Sequence, residues 1–392
     1  MLFPPIDPNE RFRERRAATR RRKRLRRALL TGTLLTGVLL LGGGARFVGG
    51  ATTSDDVEGG ATTLAAMETA GPRPLPVGIR GVHVTLGLAS LPGKLQEYAS
   101  LERDGLTAIE LDVKDENGEV GFVPRSVPLA RRVGAARDYY EAREAARLVH
   151  GRGLYLIGRV VVFEDPMLSL GRPDLAVRRG DGSVWRDAAG LGWTNPYDRR
   201  VWKYNVDIAA AAARAGFDEI LFDYVRFPSD GDVDAAVFGN PRSLAKHDAV
   251  PAFLRYASSR LHPLGVRVSA AVFGLSAARD LGIGQLPRRM APHLDHVYPM
   301  TYPSLFGQGE LGIPDPGASP GATVTRALRG FERRLTGRNV LLVPWVQDFS
   351  FEHPYRIEEV REQIEAARRA GAKGYLLWNA QGLYTDGALA AP

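Results

Sequence analysis

Between positions 79 and 379 the chain carries eight short apolar runs separated by longer stretches of helical periodicity, and this alternation constrains the fold more than any other feature. The runs are Ile79 to Thr85, Ala108 to Val113, Leu154 to Val162, Glu219 to Val225, Arg267 to Phe273, His296 to Met300, Val340 to Val346 and Gly374 to Asn379. Amphipathic segments fall between them at Lys94 to Arg103, Tyr139 to Arg152, Arg199 to Ala215, Pro251 to Leu261, Ala322 to Leu335 and Ile357 to Ala370. In the last of these, Ile357, Val360, Ile364 and Ala367 share one face and Gly371 supplies the stop. Eight strand-helix units predict an α/β chain folded as a (β/α)8 TIM barrel. A doubly wound open sheet is the alternative, but its first turn, after Thr85, reads "LGLASLPG" without the GxGxxG such a sheet carries there, and GxxxxGK[ST] does not occur. Only thirteen residues follow the eighth run, so a closing helix is vestigial or absent.

In such a barrel, chemistry gathers at the C-terminal ends of the strands. Those ends present His83, then Glu110 and Asp112, then Glu164, and then Asp223, Tyr224 and Arg226; Tyr298, Tyr302, Trp345, Asp348, Trp378 and Asn379 complete the rim. Carboxylates with flat aromatic faces are what a sugar site requires, acids to move protons or attack an anomeric carbon and rings to stack on pyranoses. Asp223 ends an apolar run and is the leading candidate for catalysis. Asp348, on a different strand, is its expected partner, with Glu164 and Asp112 as further candidates. Tyr224, Arg226 and Asn195 are candidates for orienting the site, and His83, Tyr298, Tyr302, Trp345, Trp378 and Asn379 for contacting substrate. Alternation places Glu110, Asp112 and Lys114 on the interior face of the second strand. Two readings stay open there: a catalytic carboxylate, or a satisfied ion network with Arg159. No HxH or HExxH spacing occurs, so no metal or other cofactor is implied.

The net charge of +8 needs locating before it is read as a nucleic-acid signal. Eleven of the 52 basic and three of the 44 acidic residues lie within 1–27, leaving 41 of each beyond. The body is neutral and nucleic acid is not an expected partner. The basic tail (1–27) runs into the uncharged stretch Ala28 to Ala45, the order expected of an exported segment. It reads either as a signal anchor or as a cleaved signal peptide. A Gly, Thr and Pro-rich spacer (46–76) follows, with the folded domain over 77–392. The expectation is a barrel outside the cytoplasm, membrane-tethered by a single pass, or secreted if the segment is cleaved. Absent cysteines exclude thiol catalysis and iron-sulfur clusters.

The segments "RGVHVT", "AIELDVKDENGEV", "WTNPYDRRVWKYNVDIA", "FDEILFDYVRFPSDG", "DHVYPMTYPS" and "YLLWNAQGLYT" together resemble the bacterial "putative glycosyl hydrolase domain" family from Gly78 to Thr385. The resemblance implies a carbohydrate-active TIM barrel acting on a polysaccharide or oligosaccharide. More distantly, the fourth strand resembles the D-x-x-D-x-D-x-E strand of chitinase-like glycoside hydrolases, with Asp218 and Asp223 on two of its acidic positions. Leu221 and Val225 stand where that pattern keeps another acid and its proton-donating Glu. The proton donor therefore has to come from another strand, or the barrel binds glycans without cleaving them.

Overall fold

The computed structural model describes residues 72–240 and 243–390. The basic tail, the apolar stretch 28–45 and most of the spacer lie outside the described residues; within them, no helix is long and apolar enough to cross a membrane.

The strands are β1 (Ile79–Val84), β2 (Ala108–Lys114), β3 (Tyr155–Val161), β4 (Glu219–Asp223), β5 (Arg267–Phe273), β6 (His296–Met300), β7 (Leu341–Leu342), β8 (Trp345–Gln347) and β9 (Gly374–Trp378). All pair in parallel, and the β1–β9 and β5–β6 pairings close the sheet into a barrel. There are eight staves, because β7 and β8 both pair with β6. Pro344 lies between those two and has no N–H for a ladder, so the single strand expected at 340–346 is broken in two.

One packing helix follows each of the first seven staves: α1 (Lys94–Ala99), α2 (Ala142–Gly151), α3 (Arg199–Ala215), α4 (Lys246–Leu261), α5 (Pro287–Met290), α6 (Pro320–Leu335) and α7 (Ile357–Arg369), beside three shorter helical turns at Leu86–Ala89, Pro128–Arg132 and Pro166–Gly171. Each long helix buries one stripe; in α6 it is Thr323, Val324, Ala327, Leu328 and Phe331. The start of α4 lies before Pro251, where the sequence suggested it, because Ala249 and Val250 extend the buried face upstream. Near the helix start, the proline forfeits one i to i−4 hydrogen bond. No helix follows β9 among the described residues; instead the C-terminal loop crosses the rim. There Tyr384 donates to the His83 carbonyl (2.5 Å), and Tyr98 donates to the Gly382 carbonyl (2.7 Å).

Two apolar cores result. One lies between sheet and helices and includes Val82, Ile109, Leu111, Val160, Phe222 and Val268. The other fills the barrel, with Ile79, Ala108, Ile157, Leu221, Ala271 and Leu376. Gly81 belongs to this inner face, where a Cβ would lie 1.9 Å from Leu376 Cδ2. Tyr298 also points inward and is fully buried, its hydroxyl donating to Glu219 Oε1 (2.9 Å). The expectation that Tyr298 contacts substrate is therefore corrected: β6 delivers that side chain to the packed interior, below the rim.

The period-two reading of β2 also fails at one position. Asp112 pairs with Arg159 and Lys114 with Val160, a bulge that sets two residues of β2 against one of β3. Lys114 is thereby turned out of the barrel toward α3, where its ammonium donates to Asn205 Oδ1 (2.9 Å) and the Val161 carbonyl (2.7 Å) and pairs with Asp165 (2.7 Å). Both charges are fully buried. Removing one member of such a pair leaves the other unpaired in the interior, at a cost of about 3–5 kcal/mol. Lys114→Met is accordingly expected to lower the denaturant midpoint by that much stability. Lys114→Met/Asp165→Asn, which keeps an oxygen to cap Leu168 N–H, should recover most of the loss in the same urea titration.

Candidate active site

The fourth stave stops at Asp223 because the next residue leaves the strand: Tyr224 has φ 49°, a left-handed conformation uncommon outside glycine. The turn is fastened by the Tyr224 N–H donating to Asp223 Oδ1 (2.7 Å). Val225, expected within the strand, is instead buried in the outer core. Asp223 thus becomes the last inward-facing residue of β4, at the rim.

Arg159, inward-facing on the neighbouring β3, reaches up to the same place. Its Nε and Nη2 both donate to Asp223 Oδ2 (2.9 and 2.7 Å), while Nη1 donates to Asp112 Oδ1 (2.8 Å). Asp112 and Asp223 therefore sit within one guanidinium's span of each other. His83 joins from β1, its Nδ1 2.9 Å from Glu110 Oε1 and its Nε2 3.6 Å from Asp112 Oδ2. Glu116, just beyond β2, brings Oε2 to 3.7 Å from Arg159 Nη1. It is carried by a tight turn in which Asp115 Oδ1 accepts the Asn117 and Glu119 N–H groups. Gly118 closes that turn at φ 73°, and a Cβ there would lie 2.2 Å from Asp165 Oδ1.

One guanidinium cannot neutralise four carboxyls, and the surplus negative charge shows in the protonation. The Arg159 pKa is held well above its ordinary value: burial works against the charged form, but Asp112, Asp223, Glu116 and Glu110 outweigh it. Burial pushes Glu110 up, partly offset by His83 and Arg159. Glu116 is pushed up to about 7, by burial first and then by Asp115, with Arg159 opposing. A pKa near 7 leaves a proton available there at neutral pH, with Arg159 and its two bound carboxylates alongside.

The aromatic side chains converge on the same guanidinium. Trp345 and Trp378 stack at 4.8 Å, Tyr302 lies 6.4 Å from Trp378, and Arg159 lies over the Trp378 ring at 5.3 Å. His83 packs on Trp378 at 4.2 Å. Trp345 is 1% exposed, so the expectation that it offers an open face to substrate is corrected: it is the floor beneath Trp378. Three polar atoms in this region, Glu110 Oε2, Tyr302 Oη and Trp345 Nε1, are buried without a hydrogen-bond partner among the described residues. Each such group costs about 1–3 kcal/mol when left unpaired, so their convergence marks a place suited to the hydroxyls of a polar ligand.

Of the remaining sequence candidates, Asp348, Asn379 and Asn195 hydrogen-bond away from this cluster. Asp348 directs both oxygens to Thr385 of the C-terminal loop, accepting from its hydroxyl (2.5 Å) and N–H (2.9 Å). Those contacts make Asp348 an anchor of the C-terminal loop. Asn379 serves the same junction, donating to the Asp348 carbonyl (2.5 Å). Asn195 holds two loops together through the Gly239 carbonyl (2.8 Å) and the Tyr197 N–H (3.1 Å), rather than orienting the carboxylates. Glu164 is buried where its loop bridges Trp193. Arg226 and Tyr224 flank the cluster, with the guanidinium 5.0 Å from the Tyr224 ring. Glu116 is not among the sequence candidates because it lies two residues beyond the end of β2; the signal for it is the "DEN" that follows Lys114.

A family model described as "Putative glycosyl hydrolase domain" matches residues 81–384. The chain belongs to this family. No curated protein matches it. Among solved structures, a hypothetical protein from Ruminiclostridium thermocellum ATCC 27405 is 35% identical, over 48% of this chain and 96% of that one, with a TM-score of 0.45. The glycoside hydrolase domain of PgaB (BpsB) from Bordetella bronchiseptica is 16% identical over 81% of this chain and 100% of its own, with a TM-score of 0.60. A class V chitinase from Pseudomonas fluorescens Pf-5 is 13% identical over 80% and 97%, with a TM-score of 0.50. These last two share the barrel with this glycosyl hydrolase family member.

The raised Glu116 pKa has a thermodynamic consequence. Native Glu116 keeps its proton between its ordinary 4.5 and about 7, where the unfolded chain has released it. Its contribution to stability is therefore complete below 4.5 and is lost as pH rises through 7. Glu116→Gln, which has no proton to lose, is expected to gain on wild type between pH 5 and pH 8 by up to about 3 kcal/mol in urea-unfolding free energy. An unchanged difference at the two pH values would show that Glu116 titrates normally.

Proposed function

We propose that the chain is a glycoside hydrolase acting on a cell-envelope or extracellular polysaccharide, with Glu116 as proton donor and Asp223 as its ionised partner. The observation that carries this reading is the contrast in environment: Glu116 stands with a carboxyl pushed up to about 7, while Arg159 and the Tyr224 N–H donate to the two oxygens of Asp223. A carboxyl that keeps its proton beside one held by a guanidinium suits an acid paired with a nucleophile or base. Asp112 and His83 then position Arg159, and Trp378 with Tyr302 forms the wall of the sugar site. The family supports a glycan substrate. Placement outside the cytoplasm is supported by the basic run followed by the apolar stretch 28–45.

A second reading, a non-catalytic glycan-binding barrel, is favoured by the saturation of Asp112 and Asp223 on Arg159, both only 2% exposed. Release of reducing ends from a panel of envelope and secreted polysaccharides separates the two. As a hydrolase, the protein should lose about 10²–10⁴-fold of its rate in Glu116→Gln, together with the fall in activity above pH 7, and a comparable factor in Asp223→Asn. Glycan binding by wild type and both variants, with no reducing ends released by any of them, would leave only the binding barrel.

A further inference from the structure

A second cation stands at this rim, and no carboxylate among the described residues lies within ion-pair distance of it. Arg226 is only 5% exposed, yet it forms no ion pair among the described residues. Its Nη1 is committed to the Phe227 carbonyl (3.1 Å) and Ser229 Oγ (3.2 Å). Nε and Nη2 donate to nothing among the described residues. The guanidinium is held instead by three rings, with centroids 4.8 Å away for Phe273, 4.9 Å for Trp193 and 5.0 Å for Tyr224. Trp193 is itself locked, its indole N–H donating to Asp187 Oδ2 (2.9 Å).

A charge buried to this degree is ordinarily paired, and cation–π contacts offset only part of the loss of water. The nearby Asp223 does not supply the pairing, because one of its oxygens is taken by Arg159 and the other by the Tyr224 N–H. What remains open on Arg226 is a matched edge. Nε and Nη2 of a guanidinium present two parallel N–H bonds, the fork that binds both oxygens of a carboxylate. The edge lies beside the reaction site: Phe273 ends β5, the stave next to β4, and Tyr224 follows Asp223 directly. Phe273 and Tyr224 are both half-buried, so this corner of the rim stays partly open.

We propose that Arg226 is a carboxylate-binding subsite, and that the preferred substrate is an acidic polysaccharide with a uronic acid bound next to the Glu116–Asp223 pair. The inference rests on the reading of this rim as a glycan site. It adds the substrate class, with Arg226 the residue that selects it and Trp193, Tyr224 and Phe273 fixing the plane of its fork.

The test is calorimetric binding of oligoglucuronate and oligogalacturonate, each beside its carboxyl-reduced neutral counterpart, to the full protein carrying Glu116→Gln to suppress turnover. At least one uronate oligomer should bind tenfold or more tightly than its reduced form, with a preference that shrinks as salt rises. Adding Arg226→Gln should abolish the preference, and Arg226→Lys, a point charge without the fork, should restore only a small part of it. Thermal unfolding of each variant reports whether the barrel is intact; the comparison of acidic with reduced ligand on the Arg226-bearing protein needs no Arg226 variant. Equal affinity for acidic and reduced oligomers, or a preference that survives Arg226→Gln, overturns the proposal. Cleavage of neutral glycans without any acidic preference would overturn the subsite and leave the hydrolase reading standing. Arg226-dependent uronate binding with no cleavage by wild type would do the reverse, and no binding of any glycan overturns both.

Discussion

The guanidinium of Arg159 is the interaction on which the rim depends. It crosses the mouth of the barrel from β3, binds carboxylates delivered by β2 and β4, and lies on the ring of Trp378 from β9. Three staves are thereby held in register at the end where the ladder hydrogen bonds run out. The arrangement is electrostatically unbalanced by construction. A single positive charge serves Asp112 and Asp223 directly and lies near Glu110 and Glu116, so the last protons stay on the acids that it reaches least well. Acid strength at this rim is set first by burial and then by how closely each carboxyl approaches the one guanidinium.

Much of the architecture was legible in the sequence because strand and helix periodicities are local. The eight staves and their parallel order follow from spacing alone. The position of Asp223 at a strand end was legible too, since an apolar run closed by an acid and then by Pro228 has few other solutions in a barrel. The departures come from features that local patterns do not encode. The bulge after Asp112 moved Lys114 from inside to outside, and nothing in "ELDVKDE" announces an extra residue on one strand. Asp348 follows a strand and looks identical to a catalytic acid in sequence, yet Thr385, 37 positions away, consumes both its oxygens. Glu116 carries a perturbed carboxyl because the assembled barrel buries it beside Asp115, against the opposing pull of Arg159, a property of assembly and not of the segment.

Charge is also layered along the barrel axis. Near the N-terminal end of the strands, Glu219 is bound by His296 (2.8 Å), Tyr298 (2.9 Å) and Tyr155 (3.2 Å), a cluster in which a partner is supplied for each carboxylate oxygen. An apolar layer with Ile157, Leu221 and Ala271 lies within the same interior. At the other end stands the Arg159 cluster, where polar atoms remain without partners. A satisfied network stabilises one end and an unsatisfied one marks the other, the distribution expected when one face of a barrel is structural and the opposite face receives a ligand.

Closure of the ring has a consequence for how the molecule is made. The strand that completes it, β9, is inserted between β1 and β8 and then fastened by Tyr384 against His83 and by Thr385 against Asp348. The first strand to be synthesised therefore waits, with one edge exposed, until nearly the whole barrel has been made. Contacts of such sequence separation form late and slowly, and an unpaired edge invites association with other chains meanwhile. The short loop that replaces the last helix acts as a latch on assembly: a chain ending before position 374 would keep seven of its staves and leave both β1 and β8 open to strangers.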